Sequence, residues 1–151
     1  MANTQAMTTS FKGEILTATH NFGVAPTRGS SAADTFKAAL YLASATINAG
    51  TSAYTVTGEV SGTNYTAGGI SVTNATAPAT SGTTAYWTPS ASLTYTTVTL
   101  STAFDCVLIY NNTQSNKAVS VHTFGSQTVT AGTFTLTMPT NAAGTALLNI
   151  A

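Results

Sequence analysis

The chain has 151 residues, of which 43% are hydrophobic and only 5% charged, and its four basic and four acidic side chains balance to a formal net charge of zero. That length supports one domain with a real core, and no shift in composition marks a second. So neutral a chain lacks the basic surface needed for phosphate neutralisation, which excludes the usual route to nucleic acid.

With so few charges the surface must be clad by hydroxyls, and the chain carries 33 Thr and 14 Ser. Thr is stiff at its branched Cβ and favours strands, so a β-rich protein is expected. Soluble monomers usually guard strand edges with charge. The scarcity of charge here points to a surface partly covered in an assembly, with dense hydroxyls sufficing by themselves as the alternative. The single Cys106 cannot form an internal disulfide and reads as a small core hydrophobe. The opening MANTQAMTTSFKGE lacks the basic and apolar regions of a signal peptide, and no apolar run reaches membrane-spanning length. A soluble chain made in a cytoplasm, with no membrane partner, is the expectation.

Residues 1–9 are small and polar and are expected to form a flexible lead-in to a single domain over 10–151. Ser10 is placed to cap a short helix with Phe11, Ile15 and Leu16 on one face, while Gly13 keeps a strand over 14–19 in play. Residues 21–33, with Gly23, Pro26 and Arg28-Gly29-Ser30-Ser31, read as a loop. Residues 34–43 alternate Phe36, Ala38, Leu40 and Leu42 against Thr35, Lys37, Ala39 and Tyr41, which predicts a strand. A loop over 45–53 leads to a strand-like piece at 54–57. Residues 59–69, with three glycines, read as turns or a wrapped loop.

Ile70 and Val72 alternate in a short strand, 74–82 reads as a turn region, and 83–88 carries Tyr86 and Trp87 in another strand. Residues 93–100 follow as a strand. The apolar run from Phe104 through Cys106, Val107, Leu108, Ile109 and Tyr110 ends at Asn111-Asn112, where turn backbone is cheap. After Lys117 alternation resumes with Val119 and Val121 to Phe124 and Gly125, which predicts an antiparallel hairpin. Such a run suits a strand covered on both faces. Residues 127–138 alternate but lose phase at Gly132, where a bulge or tight turn is expected. A last short strand covers 146–150. Eight or nine short strands with at most one short helix point to an all-β fold. An antiparallel two-sheet sandwich of jelly-roll type is expected, with an immunoglobulin-like sandwich as the alternative.

Reactive groups are sparse. His122 with Asp105 or Cys106 is the one grouping that hairpin pairing can bring together, and an exposed or core-satisfied histidine is the simpler expectation. His20 and His122 with Asp34 or Asp105 show no metal-ligand spacing, and Gly58, Gly62, Gly68 and Gly69 lack a phosphate-loop spacing and its Lys. No catalytic residue, cofactor or metal is therefore expected. Asn64, Asn74 and Asn111-Asn112 match glycosylation acceptors but read as turn asparagines. Tyr54, Tyr65, Tyr86 and Trp87 are the candidates for stacking on a sugar, each weighed against a core role.

Phe11, Lys12 and EILTATHNF over 14–22, DTFKAALY over 34–41, EVSG over 59–62 and YTAGG over 65–69 resemble a family of small virion proteins of tailed bacteriophages. So do LIYN over 108–111 and SNKAV over 115–119. The resemblance runs over nearly the full length, with Asn64 standing where a Gly is usual. It implies a capsid decoration, or cement, protein: non-enzymatic, bound to the major capsid protein on the virion exterior, and self-associated, with a trimer expected. Phe11, Ile15, Leu16 and Phe22 are the candidate interface, set against a role in closing the core. The alternative it implies is a tail-fibre or host-recognition module that binds glycans.

Overall fold

The computed structural model describes residues 2–16, 18–22, 33–73 and 76–151. Most of the predicted loop at 21–33, Arg28 included, and the acceptor at Asn74 lie outside the described residues. The elements run in the order β1 (Ala6–Met7), α1 (Thr9–Leu16), β2 (Phe36–Leu42), β3 (Ile70–Val72), β4 (Ala79–Ser81), β5 (Thr84–Trp87), β6 (Leu93–Asn111), β7 (Lys117–Leu136) and β8 (Leu148–Ile150). They form two antiparallel sheets, β1-β7-β6-β2-β3 and β4-β5-β8. The protein is an all-β sandwich with one short N-terminal helix.

Alternation along β2 and β6 splits the core into two. Phe36, Ala38, Leu40, Val107 and Ile109 face the small sheet, where Trp87, Leu148 and Phe11 meet them. Ala39, Tyr41, Cys106, Leu108 and Tyr110 face the other way, under Ala45, Ile47 and Tyr54 of a long irregular segment. The large sheet is thus covered on both sides, as the unbroken apolar run in β6 demands. The irregular segment then turns the sheet edge: Leu42 N donates to Gly58 O at 2.9 Å and Val60 N to Leu40 O at 3.0 Å. Glu59 fastens it. Its Oε2 accepts from the Tyr54 hydroxyl at 2.7 Å, and its Oε1 accepts from the Tyr65 hydroxyl at 2.8 Å and Gly68 N at 2.7 Å. Gly69 comes so close to β2 that a Cβ there would lie 1.7 Å from Ala38 O.

Several expectations are corrected. Residues 54–57 are irregular rather than strand, and one isolated bridge, Ala53 to Lys117, precedes them. Side chains hold them instead, Tyr54 stacking on Tyr110 with centroids 4.8 Å apart. Residues 79–81, read as turn, form β4, which pairs with β5 across Gly82. The four strands expected over 93–138 are two, because the ladder of β6 and β7 runs from Asn111↔Lys117 to Leu93↔Leu136. Ser101 and Gly125 do not end strands. The register shifts between Leu100 and Phe104 and between Phe104 and Cys106 absorb the extra residues as bulges. The phase break at Gly132 is also a register shift, with Thr97 and Ala131 at positive φ of 51° and 46°.

Residues 2–9, expected to be a flexible lead-in, are held against the sheet. Asn3 Nδ2 donates to Leu42 O at 3.1 Å and to Asp105 Oδ1 at 2.6 Å, and its Oδ1 accepts from Ile47 N at 2.8 Å. Thr8, two residues before the predicted Ser10, caps α1: its Oγ1 accepts from Phe11 N at 3.3 Å, a bond that typically contributes about 1 kcal/mol. Asn64 sits at φ 60°, the backbone region that favours Gly, and its Nδ2 donates to Thr97 O at 2.9 Å.

Candidate functional site

The helix α1 puts Phe11 inward, 1% exposed, and Ile15 one turn later at the rim, 38% exposed. The chain then doubles back, so that Phe22 stacks on Phe36 with centroids 4.4 Å apart and lies 4.8 Å from Trp87. Phe11 meets the edges of Phe22 at 5.8 Å and His20 at 4.8 Å. Between α1 and the small sheet these rings leave a cleft of about 170 Å³, walled on the far side by Pro78, Ala85, Tyr86, Leu148 and Ile150. Ile150 is 44% exposed, so isoleucines stand on both lips. The depression continues past Ile15 and Ile150 to Met7, with Lys12 and Asn149 alongside.

The Trp87 indole N–H and the His20 ring, which border this cleft, are engaged elsewhere. Trp87 Nε1 donates to Thr76 O at 3.0 Å. His20 is clasped on both nitrogens, Nε2 to Glu14 Oε2 at 2.7 Å and Nδ1 to Asn111 Nδ2 at 3.0 Å. Asn111 is itself oriented, because its Oδ1 accepts from Thr113 N and Gln114 N, both at 3.1 Å. Its Nδ2 therefore faces His20, making Nδ1 the acceptor and placing the ring proton on Nε2. Asp34 Oδ2 accepts from Asn111 Nδ2 and Asn21 N, both at 2.8 Å, and Lys117 pairs with Glu14 Oε1. Burial lowers the pKa of His20 against the pull of Glu14. Burial opposes ionisation of Glu14 too, yet hydrogen bonds from Lys117 and His20 outweigh it and hold that carboxyl below its usual range. The network ties α1 to the β6–β7 turn and leaves the cleft an apolar receptor for an apolar side chain.

Of the predicted interface residues, Phe11 and Phe22 belong to the core and line the cleft, Ile15 forms its lip, and the side chain of Leu16 lies outside the described residues. Tyr86 and Trp87 line the same cleft. Trp87 is only 2% exposed, so its face is spent on packing. Tyr54 and Tyr65 are fastened to Glu59. Gly58, Gly68 and Gly69 have positive φ in turns of the wrapping segment, and Gly62 passes close to Thr99 O.

Cys106 and His122 project from opposite faces of the large sheet. Cys106 lies with Leu108 and Tyr110, whereas His122 pairs across from Val107 and bonds Ser120 Oγ at 2.8 Å. Burial pushes the His122 pKa down to about 4 and the Cys106 thiol up to about 12, with Asp105 adding to the latter. His20 and Asp34 do meet, through Asn111, but no three His, Cys, Asp or Glu side chains among the described residues form a metal-binding group. The polar network escaped sequence reasoning because its members are up to 103 residues apart. One signal was available: Asn111 directly continues a buried apolar run. Comparison with family models, curated proteins and solved structures finds no match.

Proposed function

We propose that the chain is a non-enzymatic virion structural protein that binds and stabilises the outer surface of a bacteriophage capsid, as a decoration or cement protein. The observation that carries this reading is the apolar cleft with Ile15 and Ile150 on its lips, which gathers Phe11, Ile15 and Phe22 into one place. Exposed aliphatic side chains around an apolar depression suit a protein partner. The resemblance of the segments over 11–22, 34–41 and 59–69 to small phage virion proteins supports the same reading, with the major capsid protein as the proposed partner. A ligand that binds only the assembled shell stabilises it by mass action, and many self-associated copies add avidity. Contacts without charge also resist changes in salt.

The test is attachment of purified protein to undecorated, expanded heads. Ile15→Asp, at a lip position outside the packed core, is expected to weaken attachment at least tenfold, the effect of roughly 1.4 kcal/mol or more, without altering the thermal melt. Full attachment by that variant, or attachment to host cells and not to heads, overturns the reading. The tail-fibre alternative draws on Tyr86 at the same cleft, and attachment to host cells that a free glycan competes away would decide for it.

A further inference from the structure

The outer edge of β7 is occupied only at its beginning. Tyr54 N donates to Asn116 O just before the strand, Ala118 N donates to Ser52 O, and Thr8 N donates to Val119 O. The short β1 pairs at Ser120 and Val121. From residue 122 to the end of β7 no described strand lies alongside, and none of the described backbone hydrogen bonds outside the ladders involves this stretch. The opposite edge of the hairpin is covered from Thr99 to Asn111. There β2 pairs with β6 from Phe104 onward, Ala43 N donates to Ala103 O, and Thr63 bridges Thr99.

Open edges are normally guarded by charge, yet no Asp, Glu, Lys or Arg occurs after Lys117. The same strand carries Phe124, Val129, Phe134 and Leu136, which pack against the core but stay partly exposed. Unpaired backbone, an apolar strip and absence of charge thus coincide on one strand.

We infer that the open edge of β7, residues 123–133, pairs with the same edge of a second copy of this chain, antiparallel across a two-fold axis. An edge needs a strand that supplies matching N–H and C=O groups, and the apolar strip needs an uncharged neighbour. Among the described strands β3, β4 and β8 have three residues each, β1 has two, and the stretch of β6 beyond the Thr63–Thr99 bridge, 93–98, has six, so the edge that matches β7 in length is β7 itself. The bulged stretch around Gly125 and the bulge at Ala131 bend the strand at two places. A two-fold axis at Thr128 sets each bend against the other, which only a copy bent at the same spacing achieves. This pairing is independent of capsid binding, and it makes the unit in solution a dimer where the family resemblance suggests a trimer.

Sedimentation equilibrium of the full chain, without heads, tests it. The wild type is expected at twice the 15.3 kDa chain mass. Thr128→Lys sets two ammonium groups face to face on the axis and is expected to raise the dimer dissociation constant by roughly tenfold or more, whereas Thr80→Lys on β4 leaves it unchanged. Thr128→Cys is expected to crosslink two copies under mild oxidation, because directly opposed strand positions lie within disulfide reach. Thr80→Cys is not. A monomer, a trimer, or a dimer that Thr128→Lys does not weaken and Thr128→Cys does not crosslink overturns the inference.

Discussion

On either side of its turn, over 106–111 and 118–121, the β6–β7 hairpin is buried on both faces and carries neighbours along both edges; beyond that, over 93–103 and 124–136, one face is Thr-clad and no described strand lies along the β7 edge. The burial pattern changes accordingly, from the unbroken buried run at 106–111 to the alternation of Leu93, Tyr95, Val98 and Leu100 with exposed hydroxyl residues. Two strands thus serve two purposes. The inner half is a core, held under a wrapping segment and fixed by buried side chains. The outer half is a surface, bent by bulges and free of charge, and it keeps its backbone groups available to another strand.

The sharpest way to break this contrast is at the wrap. Gly69→Ala combines a φ of 70° with a Cβ 1.7 Å from Ala38 O, so the wrapping segment must lift off β2. A loss of about 4 kcal/mol or more, up to failure to fold, is expected in chemical denaturation. Leu108→Ala removes a fully buried side chain from the inner half and should cost about 3 kcal/mol, while Thr133→Ala on the exposed outer half should stay within about 0.5 kcal/mol.

At the seam between the halves, His122 reports by titration. Its folded pKa is near 4 against an ordinary 6.5, so the unfolded chain takes up a proton that the folded chain refuses. The stability it contributes is complete above pH 6.5 and is lost as pH falls from there towards 4, by about 2–3 kcal/mol. Denaturation midpoints of His122→Gln should fall less steeply over that window. One effect has the opposite sign. Thr97 is a β-branched residue at φ 51°, and Thr97→Gly should stabilise the outer half by about 1 kcal/mol, read as a higher melting temperature.

The inner half was legible because its signals are local. An unbroken apolar run ending at Asn111 predicts a doubly covered strand and its turn, and the alternation in 34–43 predicts β2. The lost phase at Gly132 predicts the bulge that is found there. Other features depend on partners distant in the chain. Ser101 and Gly125 resemble stops until bulges absorb them, and residues 79–81 have no apolar pattern because β4 is an edge. Asn3 looks like part of a loose tail until Leu42, Ile47 and Asp105 converge on it. At the cleft, the spacing of Phe11 and Ile15 on one helical face was readable. The meeting of Phe22 with Trp87, and of His20 with Asn111, was not, since both need the fold first.

Cys106 is the sole thiol of the chain and lies with no exposure beneath the wrap. Ionisation is strongly opposed there, so a reagent that consumes thiolate must wait until the sheet parts and water enters. Each copy therefore carries its own chemical timer. The speed at which the sulfur becomes labelled reports how often the wrapped half breathes.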